Sequence, residues 1–285
     1  METILQRIKP LKSIKFEKSY TATAATKALD ELVEISGLSK AKLKDAMAKG
    51  AVWLHQGKKS KRLRRAQTTL KTGETISLHY DSELLSRSAL EPVLLKDESH
   101  YSVWYKPAGT LSQGTLFGDH CSLLRQAEQF FACKRPALLV HRLDRETDGI
   151  MLIAHSKKAA AALSNLFQSR SVIKRYRAQV RGEIPEALEI CAPIDGKVAS
   201  TKIKRLNYDP ENNASDVEVL IETGRKHQIR RHLAEVGFPV LGDPAYGNHN
   251  SDSRGLQLTA SEISFICPLR KQSRHYIKPA DLALP

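Results

Sequence analysis

The chain has 285 residues and a mass of 31.8 kDa, room for one large domain or a large and a small one. Its hydrophobic content of 41% supports packed cores and excludes wholesale disorder. Lys and Arg number 45 against 31 acidic residues, and the formal charge of +14 favours a polyanionic partner such as nucleic acid while saying nothing of fold.

The leading residues carry no apolar block of the secretory kind. No apolar run approaches the ~20 residues of a membrane-spanning helix, so a cytoplasmic location without membrane association is expected. Cys121, Cys133, Cys191 and Cys267 form no C-x-x-C pair, which argues against a disulfide framework or a zinc site. All four are expected as small buried hydrophobes.

The first region, an N-terminal extension followed by a small module, runs to residue 88. "TKALDELVEISG" places Leu29, Leu32 and Val33 on one helical face and ends at Gly37. Ser39 is placed to cap a second helix, "SKAKLKDAMAKG", with Leu43, Ala46 and Met47 inward and Gly50 as its stop. "AVWLHQGKK" reads as a strand and turn, and "ETISLHY" alternates Ile76, Leu78 and Tyr80 on one side of a half-buried strand. Between them Lys58, Lys59, Lys61, Arg62, Arg64 and Arg65 form a basic run. A solvated loop is the ordinary reading of such a run; on a small helix-helix-strand unit in a basic chain, a phosphate-contacting surface is the better one.

"DSELLSRSALEPVLLKDES" reads as a linker into a second region, residues 89–285. "HYSVWYKPAG" is a strand ending in a Pro-Gly turn. "CSLLRQAEQFF" is a helix with Leu123, Leu124, Ala127 and Phe130 inward. "ALLV" and "GIMLIA" read as core strands, and Ser156 caps the amphipathic "KKAAAALSNLFQSR". "KRYRAQVRG" is a strand with Tyr176, Ala178 and Val180 on one face, "SDVEVLIETG" another, and "RKHQIRRHLAEVG" a helix closed by Gly237. Strands and helices mix without a strict β-α-β rhythm, so the fold class is α+β around a mixed or antiparallel sheet.

Several chemistries fail on spacing. His141 and His155 are too far apart for a helical metal pair, and His227 and His232, five apart, fall on different helical faces. No G-x-S-x-G elbow and no G-K-[ST] loop occurs. A glycosidase pairing of Asp144 with Glu146 or Asp148 lacks carboxylates flanking a scissile bond. What remains is the charged segment "HRLDRETDGIMLIA" between two core strands, and the helix after "IETG". In that helix Ile229, Leu233 and Val236 are expected to face the core. Arg230 then lies at the core's edge, where a desolvated guanidinium needs a carboxylate. Asp144 is one partner to consider, and an Arg beside it would hold the carboxylate ionised and in one rotamer.

Three segments resemble one family together: "HRLDRETDGIML" the motif H-R-L-D-x-x-T-S-G, "KRYRAQVRGEI" the K-x-Y-x-A strand, and "GRKHQIRRHLAEVGFPVLGDPAYG" the third motif of the RluA-type RNA pseudouridine synthases. "YKPAGTLSQG" and "LQLTASEISFICP" resemble the opening and closing segments, in family order across residues 101 to 268. The resemblance implies Asp144 as the catalytic aspartate and Arg142 as an arginine that holds open the place of a flipped-out nucleotide. It implies Tyr176 as a stacking platform for the base, Arg230 as the partner of the aspartate, and Ile229 as a pocket wall. His141 and His227 are taken with the substrate-binding set. Asp148 stands where the motif has Ser, a negative charge that needs Arg142, Arg145 or another base to neutralise it. The first region, best over "GLSKAKLKDAMAKGAVWL", resembles the alpha-L RNA-binding module. A monomeric isomerase without cofactor or metal is expected, with ribosomal RNA as first substrate and transfer RNA as second. A non-catalytic RNA-binding or ribosome-assembly factor is the other reading; loss of Asp144, Tyr176 or Arg230 would have favoured it, and all three are present.

Overall fold

The computed structural model describes residues 13–247 and 252–282. The N-terminal extension expected ahead of the first module lies largely outside them. The chain divides into two compact units. One holds the described residues up to Ala89 together with Gly114–Cys121; the other holds Leu90–Gln113 and those from Ser122 onward. The segment 114–121 thus leaves the second region to fold with the first, which no local pattern announces.

In chain order the first unit runs β1 (Lys15–Thr21), β2 (Thr26–Lys27), α1 (Ala28–Ser36), α2 (Lys40–Ala48), β3 (Val52–Gln56), β4 (Lys59–Arg62), β5 (Thr69–Leu70), β6 (Thr75–Asp81) and α3 (Ser82–Ser86). Its four-stranded sheet has the order β1-β6-β3-β4. Gly37 closes α1 in the left-handed region at φ 69°, with its amide on the Val33 carbonyl, and the Ser39 hydroxyl caps α2 by accepting the Lys42 amide. Leu32, Leu43, Met47, Ile76 and Leu78 pack into one core. The linker expectation fails at both ends: residues 82–86 are helical, capped by the Asp81 carboxylate, and Val93–Asp97 is an edge strand.

The second unit runs β7 (Val93–Asp97), β8 (Tyr101–Lys106), α4 (Leu123–Phe130), β9 (Leu138–Leu139), β10 (Asp148–Ala154), α5 (Lys157–Gln168), β11 (Val172–Arg181), β12 (Ala187–Ile190), β13 (Thr201–Asp209), β14 (Ala214–Ile221), α6 (Gln228–Glu235), β15 (Leu258–Ile266) and β16 (Ser273–Ile277). These strands make one sheet, β12-β13-β14-β11-β15-β10-β8-β7, with β16 added to β15 and β9 to β10. Every pairing is antiparallel except β10 with β15, a parallel seam of two residue pairs, Asp148 with Thr259 and Gly149 with Ala260. The expected α+β class with a mixed sheet is what the chain forms. At the seam Gly149 has φ 122°, and a Cβ there would lie 2.3 Å from the Ala260 carbonyl oxygen. Only glycine permits that approach.

Local pattern misplaced some apolar residues. Phe130 is 61% exposed, its ring edge-on to Trp104, and Val236 is the C-cap of α6 and open to solvent. "ALLV" gives only the two-residue β9. Cys133 and Cys191 are exposed, whereas Cys121 and Cys267 are buried.

Candidate active site

The segment 141–147 leads directly into β10, and its backbone is fixed on both sides of Asp144. The Leu143 amide donates to Ser112 Oγ at 3.0 Å, and the same hydroxyl donates to the Leu143 carbonyl at 2.6 Å. The Arg145 carbonyl accepts the Gly109 amide at 2.7 Å and Lys106 Nζ at 3.2 Å. Lys106 is fully buried and also donates to the carbonyls of Thr110 and Pro107. Burial pushes its ammonium down to about 8, while the carboxylates of Asp148, Glu146 and Asp144 act in the opposite direction. Lys106 and Ser112 escaped the sequence reading; their signal was their place in the K-P-A-G segment, which names no contact.

The turn ends at Asp148, 1% exposed. Its carboxylate accepts the Tyr105 hydroxyl at 3.0 Å and the Thr259 hydroxyl at 2.6 Å, and the nearby buried cation is Lys106. Neither Arg142 nor Arg145 neutralises it: Arg142 is exposed beside the cavity and Arg145 pairs with Glu146. The carboxylate is engaged by hydroxyls of the neighbouring strands β8 and β15 rather than by an arginine.

Tyr176 comes from the middle of β11, and α6 follows β14 by a turn in which His227 takes φ 55°. A cavity of about 200 Å³ opens there, lined by Asp144, Tyr176, Arg142, His227, Ile229 and Arg230 among others. Arg230 is 2% exposed. Its principal partner is a residue not singled out in the sequence: Nε and Nη2 donate to the two carboxylate oxygens of Asp243 at 2.8 and 2.7 Å. Nη1 stands 3.5 Å from Asp144 Oδ2. Asp243 also accepts the amides of Ala245 and Tyr246. Burial opposes its charge, yet these bonds and the guanidinium hold its carboxyl below the usual range. Burial likewise penalises the Arg230 charge, and Asp243 and then Asp144 more than restore it. Asp243 lies in the quoted "GDPAYG"; a string of letters gives its neighbourhood but no distance.

His227 donates or accepts at Tyr246 Oη, 2.9 Å, and its Nε2 is 3.7 Å from Asp144 Oδ1. Burial lowers its pKa despite the pull of Asp144, so the ring favours neutrality. Burial, then the Asp144 charge, raises the Tyr176 phenol well above its ordinary range. Five of the expected residues, together with Arg142 at the rim, therefore converge. His141 does not join them: its Nε2 accepts the Leu152 amide at 3.0 Å and its ring stacks on Phe167 at 4.3 Å. Burial pushes it down to about 3, a neutral acceptor holding β10.

The basic run of the first unit also divides. Lys58, Lys59, Lys61 and Arg65 are exposed. Arg62 lies 4.4 Å over the Trp53 ring, donates to the Gly50 and Thr115 carbonyls and pairs with Asp119 at 2.9 Å. Arg64 bonds the Ala48 carbonyl at 2.8 Å and the same Asp119 carboxylate. Both guanidinia are half-buried parts of the unit's interior. Among the described residues no three His, Cys, Asp or Glu side chains cluster as metal ligands, and no helix is long and apolar enough to cross a membrane.

The family model for RNA pseudouridylate synthase matches residues 100–235. A dual-specificity RNA pseudouridine synthase RluA from Vibrio parahaemolyticus is 32% identical over 207 residues, 65% of this chain and 82% of that one. An uncharacterized RNA pseudouridine synthase from Mycoplasma genitalium is 29% identical across 93% of this chain and 92% of its own length. Among solved structures, the human RNA pseudouridylate synthase domain containing 4 superposes with a TM-score of 0.55 at 26% identity, covering 67% of this chain and 88% of that one. With a carboxylate, an aromatic face and a buried arginine meeting in one cavity of an α+β sheet, the chain belongs to the RluA-type RNA pseudouridine synthases, isomerases that act on uridine in RNA.

Proposed function

We propose that Asp144 is the catalytic carboxylate and that ribosomal RNA is the substrate, with transfer RNA second. The observation that carries this reading is the position of Asp144 in its cavity. Its backbone is fixed from both sides, its carboxylate faces Tyr176, and Arg230 stands 3.5 Å away without closing a tight pair. Pseudouridine formation breaks the N1–C1′ bond of uridine, rotates the uracil and joins C5 to C1′; C5 then loses its proton and N1 gains one, so the change is an isomerisation. The target nucleotide leaves its stack to enter the cavity, Arg142 at the rim takes part in holding its place open, and the uracil lies on the Tyr176 ring. Asp144 attacks and later departs, with Arg230 holding its carboxylate in one rotamer. Ile229 and the other apolar walls limit water at the reacting carbon. The reaction changes no oxidation state and needs neither metal nor cofactor. His227, neutral and tied to Tyr246, orients the floor of the site.

The first unit serves as an alpha-L-like RNA-binding module. Its exposed Lys58, Lys59, Lys61 and Arg65 supply the phosphate contacts, and the chain acts as a cytoplasmic monomer. The relatives support ribosomal RNA as the substrate: one from Xanthomonas campestris is named ribosomal large subunit pseudouridine synthase D and is 31% identical over 202 residues. The test is transcriptome-wide pseudouridine mapping in cells with and without the gene. One or a few ribosomal positions should lose the modification, and an unchanged ribosomal map would remove that substrate.

A further inference from the structure

Beside the catalytic cavity lies a second one of about 470 Å³ that shares Arg142, Tyr176, Ile221, Gly224 and Arg225 with it. Its lining adds Lys174 and Arg170, and Glu222 is its one carboxylate among the described residues. Glu222 is engaged at 3.2 Å with Lys202. Lys174 is half-buried, and Nζ donates to the Thr223 carbonyl at 3.1 Å. Burial pushes this ammonium down to about 8, with Arg170 adding in the same direction, and no acid opposes them. The contrast with Lys106 is direct, since three carboxylates act on that buried lysine. An ammonium partly withdrawn from water beside further cations is unfavourable, and an arriving anion would relieve it.

Lys174 and Tyr176 stand two apart on β11, hence on one face of the sheet, so this cation sits one strand repeat from the expected base platform. We propose that Lys174, with Arg170 and Arg225 at the rim, forms a subsite for an RNA backbone phosphate next to the flipped uridine. The anion completes the charge balance that the folded chain leaves open. This assignment rests on the reading of Tyr176 as the base platform.

The test uses the full chain and a short oligouridylate, in parental form and with a methylphosphonate replacing one phosphate at a time. Lys174→Met keeps the stem and removes the charge. It should weaken binding about tenfold, as expected for loss of one charge-assisted contact. It should also lower the salt slope by about 0.7. Its melting temperature should equal or exceed the parental one. One methylphosphonate position should weaken the parent by the same factor and leave Lys174→Met unaffected, while Lys174→Arg restores most of the affinity. Parental affinity and slope in a folded Lys174→Met overturn the assignment, as does a parent indifferent to every methylphosphonate. Pseudouridine formation by the parent is scored separately on extracted RNA. Turnover with a negative binding cycle refutes the subsite alone, and a positive cycle without turnover refutes the catalytic reading alone.

Discussion

Each unit contains an arginine–aspartate cluster, and the two are inverted copies in stoichiometry. In the first unit one carboxylate, Asp119, lies between two guanidinia, Arg62 and Arg64, whose other donors go to main-chain carbonyls. In the second one guanidinium, Arg230, lies between two carboxylates. It closes a fork on Asp243, and Asp144 keeps a looser contact while facing a cavity. The same ion pair chemistry therefore fastens a segment in one place and, in the other, leaves one carboxylate loosely held at a cavity, as the proposed reaction requires. The surplus partner decides which.

Asp144→Asn breaks the comparison hardest. It keeps shape and removes the charge, so pseudouridine formation should fall by at least about a thousandfold, with RNA affinity near the parental value. A folded variant that turns over at the parental rate removes Asp144 from the chemistry. Asp243→Asn tests whether the fork is what keeps Asp144 loose. A buried arginine then loses its main counter-charge, at a cost of about 3–5 kcal/mol, and it should draw Asp144 into a tight pair. Lower kcat with little change in RNA affinity is the expected signature, read together with a lowered Tm; an unchanged kcat rejects it. Asp119→Asn is the counterpart in the first unit, with about 1–3 kcal/mol of lost stability and an unaltered kcat on protein that remains folded.

The pH dependence sharpens the same distinction between fastening and reacting groups. His141 stays neutral when folded and titrates near its ordinary value when unfolded. Between about 3 and 6.5 the unfolded chain therefore binds the extra proton, and stability falls as the pH drops through that window. The slope reaches at most about 1.4 kcal/mol per pH unit. His141→Gln keeps an acceptor for the Leu152 amide that cannot be protonated, and denaturant melts at several pH values should show a flatter profile. The smallest effect belongs to the exposed cations. Replacing Lys58, Lys59, Lys61 and Arg65 by Ala should lower the salt slope of RNA binding by about 0.7–0.9 per lost contact, without a change in Tm. An unchanged slope returns the run to solvent.

The pattern of legibility follows from what sequence encodes. Helix caps at Gly37, Ser39 and Ser156, and the alternation of β6 and β11, are local and were readable from a few residues each. Asp144, Tyr176 and Arg230 were readable because motif order stands in for distance. Arg62 and Arg64 were misread as a solvated or phosphate-facing run because their counter-charge arrives from 55 or more residues downstream, on a segment that a division at residue 88 assigns to the other region. Asp148 was expected to need a neighbouring arginine to neutralise its charge, whereas its acceptors are filled by Tyr105 and by Thr259, 111 residues away. Charge in a sequence is visible, but the sign and position of its partner are tertiary facts.

The parallel seam at Asp148 and Gly149 has a wider meaning. Among the described residues it is the one strand-to-strand pairing between two antiparallel wings, β10 with β8, β7 and β9 on one side and β15 with β11, β14 and the remaining strands on the other. Asp144 enters from the first wing, and Tyr176 and Arg230 belong to the second. The lining of the cavity is thus divided across a joint, and that joint includes a closeness that a single methyl group would forbid. A chain with alanine at position 149 would keep Asp144, Tyr176 and Arg230 in their ordinary places along the sequence, yet β10 and β15 would have to shift at the seam that carries them toward one cavity.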